Sequence, residues 1–102
     1  MSIRVGQYVF EGPYMDTSRL SDKSGVYAIH CYHHNVYSII DIGESSTVKT
    51  RVENHDRKEC WSRNCAGILT VSVFYTLNAK QAGRKKIEQK LRSQYNPICG
   101  NR

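Results

Sequence analysis

The stretch "SGVYAIHCYHHNVYSIIDIGESS", residues 24–46, decides the fold. β-Branched and aromatic residues dominate from Ser24 to about Tyr32 and again from Val36 to Gly43, and "HHN" supplies the bend between them, so the segment reads as a β-hairpin. A plain hairpin needs only alternation, yet this one also carries tyrosines, an aspartate and a pair of serines. Gly25 precedes the first strand and Gly43 ends the second, where a missing side chain lets a backbone or a ligand approach closely.

Upstream, "GQYVF" (residues 6–10) predicts a short strand, and "EGPYMDTSRLSDKSG" is rich in turn formers and reads as an irregular arm. Downstream, Ser45 or Ser46 is placed to cap a helix running to about Lys58, with Val48, Arg51, Val52 and His55 recurring on one face. "AGILTVSVFYTL", residues 66–77, has the apolar density of a central strand. Asn78 followed by Gln81 predicts a capping box opening a second helix, which Asn96-Pro97 closes. The expected architecture is therefore one small α/β (α+β) domain: a largely antiparallel three-stranded sheet flanked by helices, with residues 1–22 as strand and arm and 23–101 as core.

The chain has 102 residues, enough for one core and no second domain. Its 39% apolar and 24% charged content suits a folded protein, and no apolar run approaches the roughly 20 residues of a membrane span. The start, "MSIRVGQYVF", lacks a signal-peptide core, so the expectation is a cytoplasmic protein with no membrane partner. On that reading Cys31, Cys60, Cys65 and Cys99 are reduced thiols, and "HCYHH" lacks the matching second half of a zinc site. Residues 1–60 hold seven basic and eight acidic side chains, whereas residues 61–102 hold eight basic and one acidic. Such segregated positive charge fits either a polyanion-binding face or a solvated helix face.

The one acid in that second half is Glu88. At about 100° per residue, Ile87, Leu91 and Tyr95 form the inward stripe of the last helix, and Glu88 lies only about 60° from Leu91. A carboxylate at a core margin must pair, with Arg84 one turn earlier, or bind a cation. Arg51 and His55, at i and i+4, put forked donors beside a group that titrates near neutral pH, a pair suited to a phosphate.

Taken together these residues resemble the GIY-YIG nuclease family. Gly25-Val26-Tyr27 matches the first tripeptide, Asp41-Ile42-Gly43 stands where the second belongs, and "RVENH" carries the arginine with a histidine one turn later. Glu88 follows on a helix after the third strand, and "YNPICGN" looks like the closing segment, with Asn101 or Asn96 as its asparagine. The resemblance implies hydrolysis of DNA phosphodiester bonds with Mg²⁺ or Mn²⁺. On it Glu88 holds the metal, Tyr27 deprotonates the attacking water, Arg51 neutralises the phosphoryl oxygens, and His55 positions the phosphate or relays a proton. Asp41 replaces the family's tyrosine, which adds a metal ligand or stronger base, or else repels phosphate and marks lost activity.

Lys80, Arg84, Lys85, Lys86 and Lys90 are the expected contacts to the backbone of duplex or branched DNA. A chain this short has little room for a DNA-reading domain, so it needs dimerisation, a fusion partner or loose specificity. Two other classes stay open: a catalytically impaired nucleic-acid-binding module of the same fold, and a small interaction protein whose basic face meets an acidic protein.

Overall fold

The computed structural model describes residues 1–100 of the chain. Its framework is a five-stranded, wholly antiparallel sheet of β1 (Ser2–Val5), β2 (Tyr8–Tyr14), β3 (Gly25–His33), β4 (Val36–Ser45) and β5 (Ile68–Tyr75), in the order β1-β2-β5-β3-β4. Three short helices complete it: α1 (Val48–Glu53), α2 (Lys58–Arg63) and α3 (Gln81–Tyr95). The mixed α+β class stands, but the three-stranded sheet with two helices is corrected. Residues 2–14 form two strands that extend the sheet beyond β5, so the arm expected after Phe10 begins only at Met15. "EGPY" reads as a turn locally, yet Glu11 and Tyr14 pair with Val73 and Val71 on β5, a long-range partner that local propensity does not reveal.

The central hairpin forms as expected. His34 and Asn35 both have positive φ, 53° and 63°, so the two-residue bend has a twist that matches its flanking strands. Alternation along β3 then divides the core. Tyr27, Ile29 and Cys31 join Val48, Val52 and Trp61 from α1 and α2, while Val26 and Ala28 join Phe10, Ile42 and Leu91 on the α3 side. A register shift lies in this hairpin: Ile29 pairs with Asp41, but His30 pairs with Ile39. The extra residue, Ile40, packs with the α1 and α2 cluster, and Asp41 and Gly43 are thereby set opposite Ile29 and Tyr27.

The single helix expected over 45–58 is two. α1 ends at Glu53 with Asn54 as its C-cap, and His55–Arg57 form a link whose last residue precedes α2. Thr47 rather than Ser45 or Ser46 is the N-cap of α1, because the Ser45 hydroxyl accepts from the Thr47 N–H. α3 likewise starts behind Lys80, not Asn78, and ends on Asn96 in the left-handed region at φ 48°. The expected free thiols are also corrected: Cys31–Cys65 and Cys60–Cys99 are disulfides, joining β3 to the end of α2 and α2 to the segment after α3. Each pair is more than 30 residues apart in sequence, and only tertiary packing selects these partners. Among the described residues no helix is long and apolar enough to cross a membrane.

Candidate functional site

Tyr27 sits opposite Gly43 in the hairpin and its ring lies across that glycine: a Cβ at position 43 would come within 2.3 Å of the phenol oxygen. Gly43 is thus the space in which the phenol rests. From the link after α1, His55 Nε2 meets the Tyr27 hydroxyl at 2.8 Å. The Arg57 backbone N–H donates to His55 Nδ1 at 3.0 Å, which leaves the ring proton on Nε2 and makes the Tyr27 oxygen the acceptor. Arg51 stands beside the same phenol and pairs with Asp56 at 3.2 Å. Tyr27, Arg51 and His55 therefore converge, as expected from the sequence.

Their ionisation follows from burial. Burial pushes the Tyr27 phenol up to about 12, with Arg51 and Arg57 working against it. Burial lowers His55 to about 4, and the neighbouring Arg51 and Arg57 charges add to that. At neutral pH both rings are uncharged.

Asp41 does something different from what the motif implies. It is fully buried and bound on all sides: Arg57 Nε donates to Oδ2 at 2.8 Å, Trp61 Nε1 to Oδ2 at 2.7 Å, Arg92 Nη1 to Oδ1 at 2.9 Å, and its neighbour's Ile42 N–H to Oδ1 at 2.8 Å. With both oxygens taken, Asp41 is a clasp joining β4, α2, α3 and the link between helices. Burial works against the Arg57 charge, but the Asp41 hydrogen bond and charge prevail, and its pKa is raised.

Glu88 is half-buried on α3 and carries no hydrogen bond or ion pair among the described residues. Its expected partner Arg84 is instead buried against Glu44 of β4, Nε to Oε1 at 2.9 Å. Burial and the Glu44 charge raise the Glu88 pKa, while Arg92, Arg57 and Lys85 pull it back. The Arg57 charge acts on both Tyr27 and Glu88, while α3, which carries Glu88, packs on the sheet face opposite Tyr27.

The remaining expected contacts separate by face. Lys85, Lys86 and Lys90 are exposed on α3, which packs on the sheet face opposite Tyr27, and Lys80 is exposed as its N-cap; Lys90 also reaches Gln7 Oε1 at 3.2 Å. Arg84 is withdrawn from solvent by Glu44, and Arg92 is buried on Asp41. Asn96 caps α3, and Asn101 lies outside the described residues.

Sequence reasoning missed Arg57, Trp61 and Arg92. Trp61 packs on His55 with ring centroids 4.6 Å apart. Its only signal was being the sole tryptophan.

Among the described residues no three His, Cys, Asp or Glu side chains gather as a ready metal site. One unpaired carboxylate fits an ion that keeps most of its water and takes other ligands from a substrate phosphate, as Mg²⁺ does. No family model and no curated protein matches the chain.

Proposed function

We propose that this chain is a divalent-metal-dependent endonuclease that hydrolyses DNA phosphodiester bonds from a GIY-YIG-like site. The observation that carries the reading is the convergence of the Tyr27 hydroxyl with His55 at 2.8 Å and with Arg51 on a floor cleared by Gly43. Donors from His55 and Arg51 onto the phenol oxygen stabilise its ionised form, which takes a proton from the attacking water. Arg51 then faces the phosphoryl oxygens, where charge builds in the transition state. Glu88 is the residue that would hold Mg²⁺ or Mn²⁺, which when bound supplies Lewis-acid stabilisation of the leaving 3′-oxygen. The exposed lysines of α3 contact the phosphate backbone away from the cut, a role Arg84 cannot share.

A nucleic-acid-binding module without catalysis is the second reading, favoured by one observation: Tyr27 is 1% exposed and Asp41 has no free oxygen. Supercoiled plasmid with Mg²⁺ or Mn²⁺ separates the two. Nicking by the wild type that is lost in Glu88→Ala and Tyr27→Phe supports the endonuclease; salt-sensitive binding with no metal-dependent nicking supports the module. As for compartment, two disulfides favour an oxidising environment over the cytoplasm suggested by the amino-terminal residues.

A further inference from the structure

The proposed mechanism draws on Tyr27, Arg51, His55 and Glu88 and gives Asp41 no part. Asp41 is fully buried, and donors occupy both its oxygens: Trp61 Nε1 at 2.7 Å and Arg57 Nε at 2.8 Å on Oδ2, and the Ile42 N–H at 2.8 Å, Arg92 Nη1 at 2.9 Å and Arg57 Nη2 at 3.2 Å on Oδ1. Burying a charge this completely is costly even when it is paired, and apolar side chains packed into the same space are often as stabilising. Stability alone therefore does not account for a carboxylate here.

Two of those donors lead directly to His55, which sits in the link between α1 and α2, outside either helix, and so must be held by the groups around it. Trp61 lays its ring on the imidazole with centroids 4.6 Å apart, and residue 57 gives its backbone N–H to His55 Nδ1 at 3.0 Å. The first contact sets the plane of the ring, and the second sets which nitrogen carries the proton. With Nδ1 engaged as an acceptor, Nε2 holds the proton and turns it toward the Tyr27 oxygen 2.8 Å away. The opposite tautomer would present Nε2 as an acceptor and keep the phenol proton in place. The first arrangement favours the ionised phenol that takes a proton from water, and the second opposes it.

We infer that Asp41 is a positioning residue for His55, acting through Trp61 on the plane of the imidazole and through Arg57 on its tautomer, so that Nε2–H is presented to the Tyr27 oxygen. The inference rests on the nuclease reading and adds three supporting residues to that site. It also reverses the bearing of Asp41 on activity, because a carboxylate with both oxygens occupied is what the positioning role requires. Asparagine cannot serve: each oxygen takes more than one donor, and an amide NH₂ in either place would face them.

The first readout needs neither metal nor DNA. Imidazole nitrogens of ¹⁵N-labelled protein are observed by NMR at pH 7, with His55→Gln identifying the His55 signals among the four histidines. Wild-type His55 is expected to hold its proton on Nε2 alone, and Asp41→Asn to give a mixture of tautomers. Arg57→Lys keeps the positive charge and the backbone N–H but not the forked grip on both oxygens, and it is expected to give the same mixture where Asp41→Asn fails to fold. In plasmid nicking both variants are expected to lose about 10- to 100-fold in kcat with KM little changed, the scale of a misplaced reacting group. A wild-type His55 with its proton on Nδ1, a folded Arg57→Lys protein whose His55 tautomer matches the wild type, or a shifted tautomer with kcat unchanged overturns the inference. Metal-dependent nicking by the wild type alongside such a result leaves the nuclease reading intact, whereas the expected tautomer shift in a protein whose wild type nicks no DNA defeats that reading alone.

Discussion

At position 43 a hydrogen atom is what allows the phenol to be where it is. Gly43→Ala puts a Cβ within 2.3 Å of the Tyr27 oxygen and 2.4 Å of the ring carbon bearing it. The expected cost is about 1–3 kcal/mol in urea unfolding, and in a Tyr27→Ala background the added cost should vanish, since the clash has no second partner within 3 Å. The phenol also sets the pH response of catalysis. With a pKa near 12, only about one Tyr27 in 10⁵ is ionised at pH 7, so cleavage should rise about tenfold per pH unit from pH 7 to 9. Tyr27→Phe should abolish that slope. A flat profile in the wild type would remove Tyr27 from the base role. Two histidines set the response of stability. His30, buried against Ser72 at 2.6 Å, and His55 are both lowered to about 4 from 6.5, by burial first in each case. The unfolded chain therefore binds protons before the folded one does. Stability is retained above pH 6.5 and lost as pH falls toward 4, measurable as a falling urea midpoint across that window.

Among the elements, β4 holds the others in place through two acids, Asp41 and Glu44. Asp41 gathers Arg57, Trp61 and Arg92, and Glu44 holds Arg84, so α3 is tied to β4 by two ion pairs on either side of Glu88. Removing one partner of a buried pair leaves an uncompensated charge. Asp41→Asn should therefore destabilise the fold by about 3–5 kcal/mol, read by denaturant unfolding. Glu88→Gln should be nearly neutral in the same measurement, because no partner among the described residues depends on it. The contrast distinguishes a structural carboxylate from one kept available for a ligand. Sequence spacing alone cannot draw it, since Arg84 lies one turn from Glu88 and yet turns to a strand some 40 residues away.

For the whole molecule, the two disulfides close loops of similar length and cross-link α2 to both β3 and the carboxyl-terminal segment. Cys99 is also where Arg92 donates to the backbone carbonyl at 2.8 Å, so the Cys60–Cys99 bridge and the Asp41 clasp support the same corner. Cys60→Ser with Cys99→Ser should lower unfolding free energy by about 2–4 kcal/mol, and the reduced wild type, which loses both bridges, should lose more. Thiol titration of the native protein should find no reactive cysteine before reduction. Four titratable thiols in the native protein would contradict the cross-linked fold.

By itself the sequence determined the hairpin, the third strand of the expected sheet and the last helix, because alternation, helical periodicity and turn residues are local signals written in neighbouring side chains. It also marked Tyr27, Arg51 and His55, which β3, α1 and the link after α1 bring together. Only the tertiary structure decided the rest. Pairing of β2 with β5, the choice of disulfide partners, the departure of Arg84 to Glu44 and the burial of Asp41 among three donors all join residues far apart in the chain. Their partners are chosen by the desolvation of charge and the packing of faces, and neither exists until the sheet has closed.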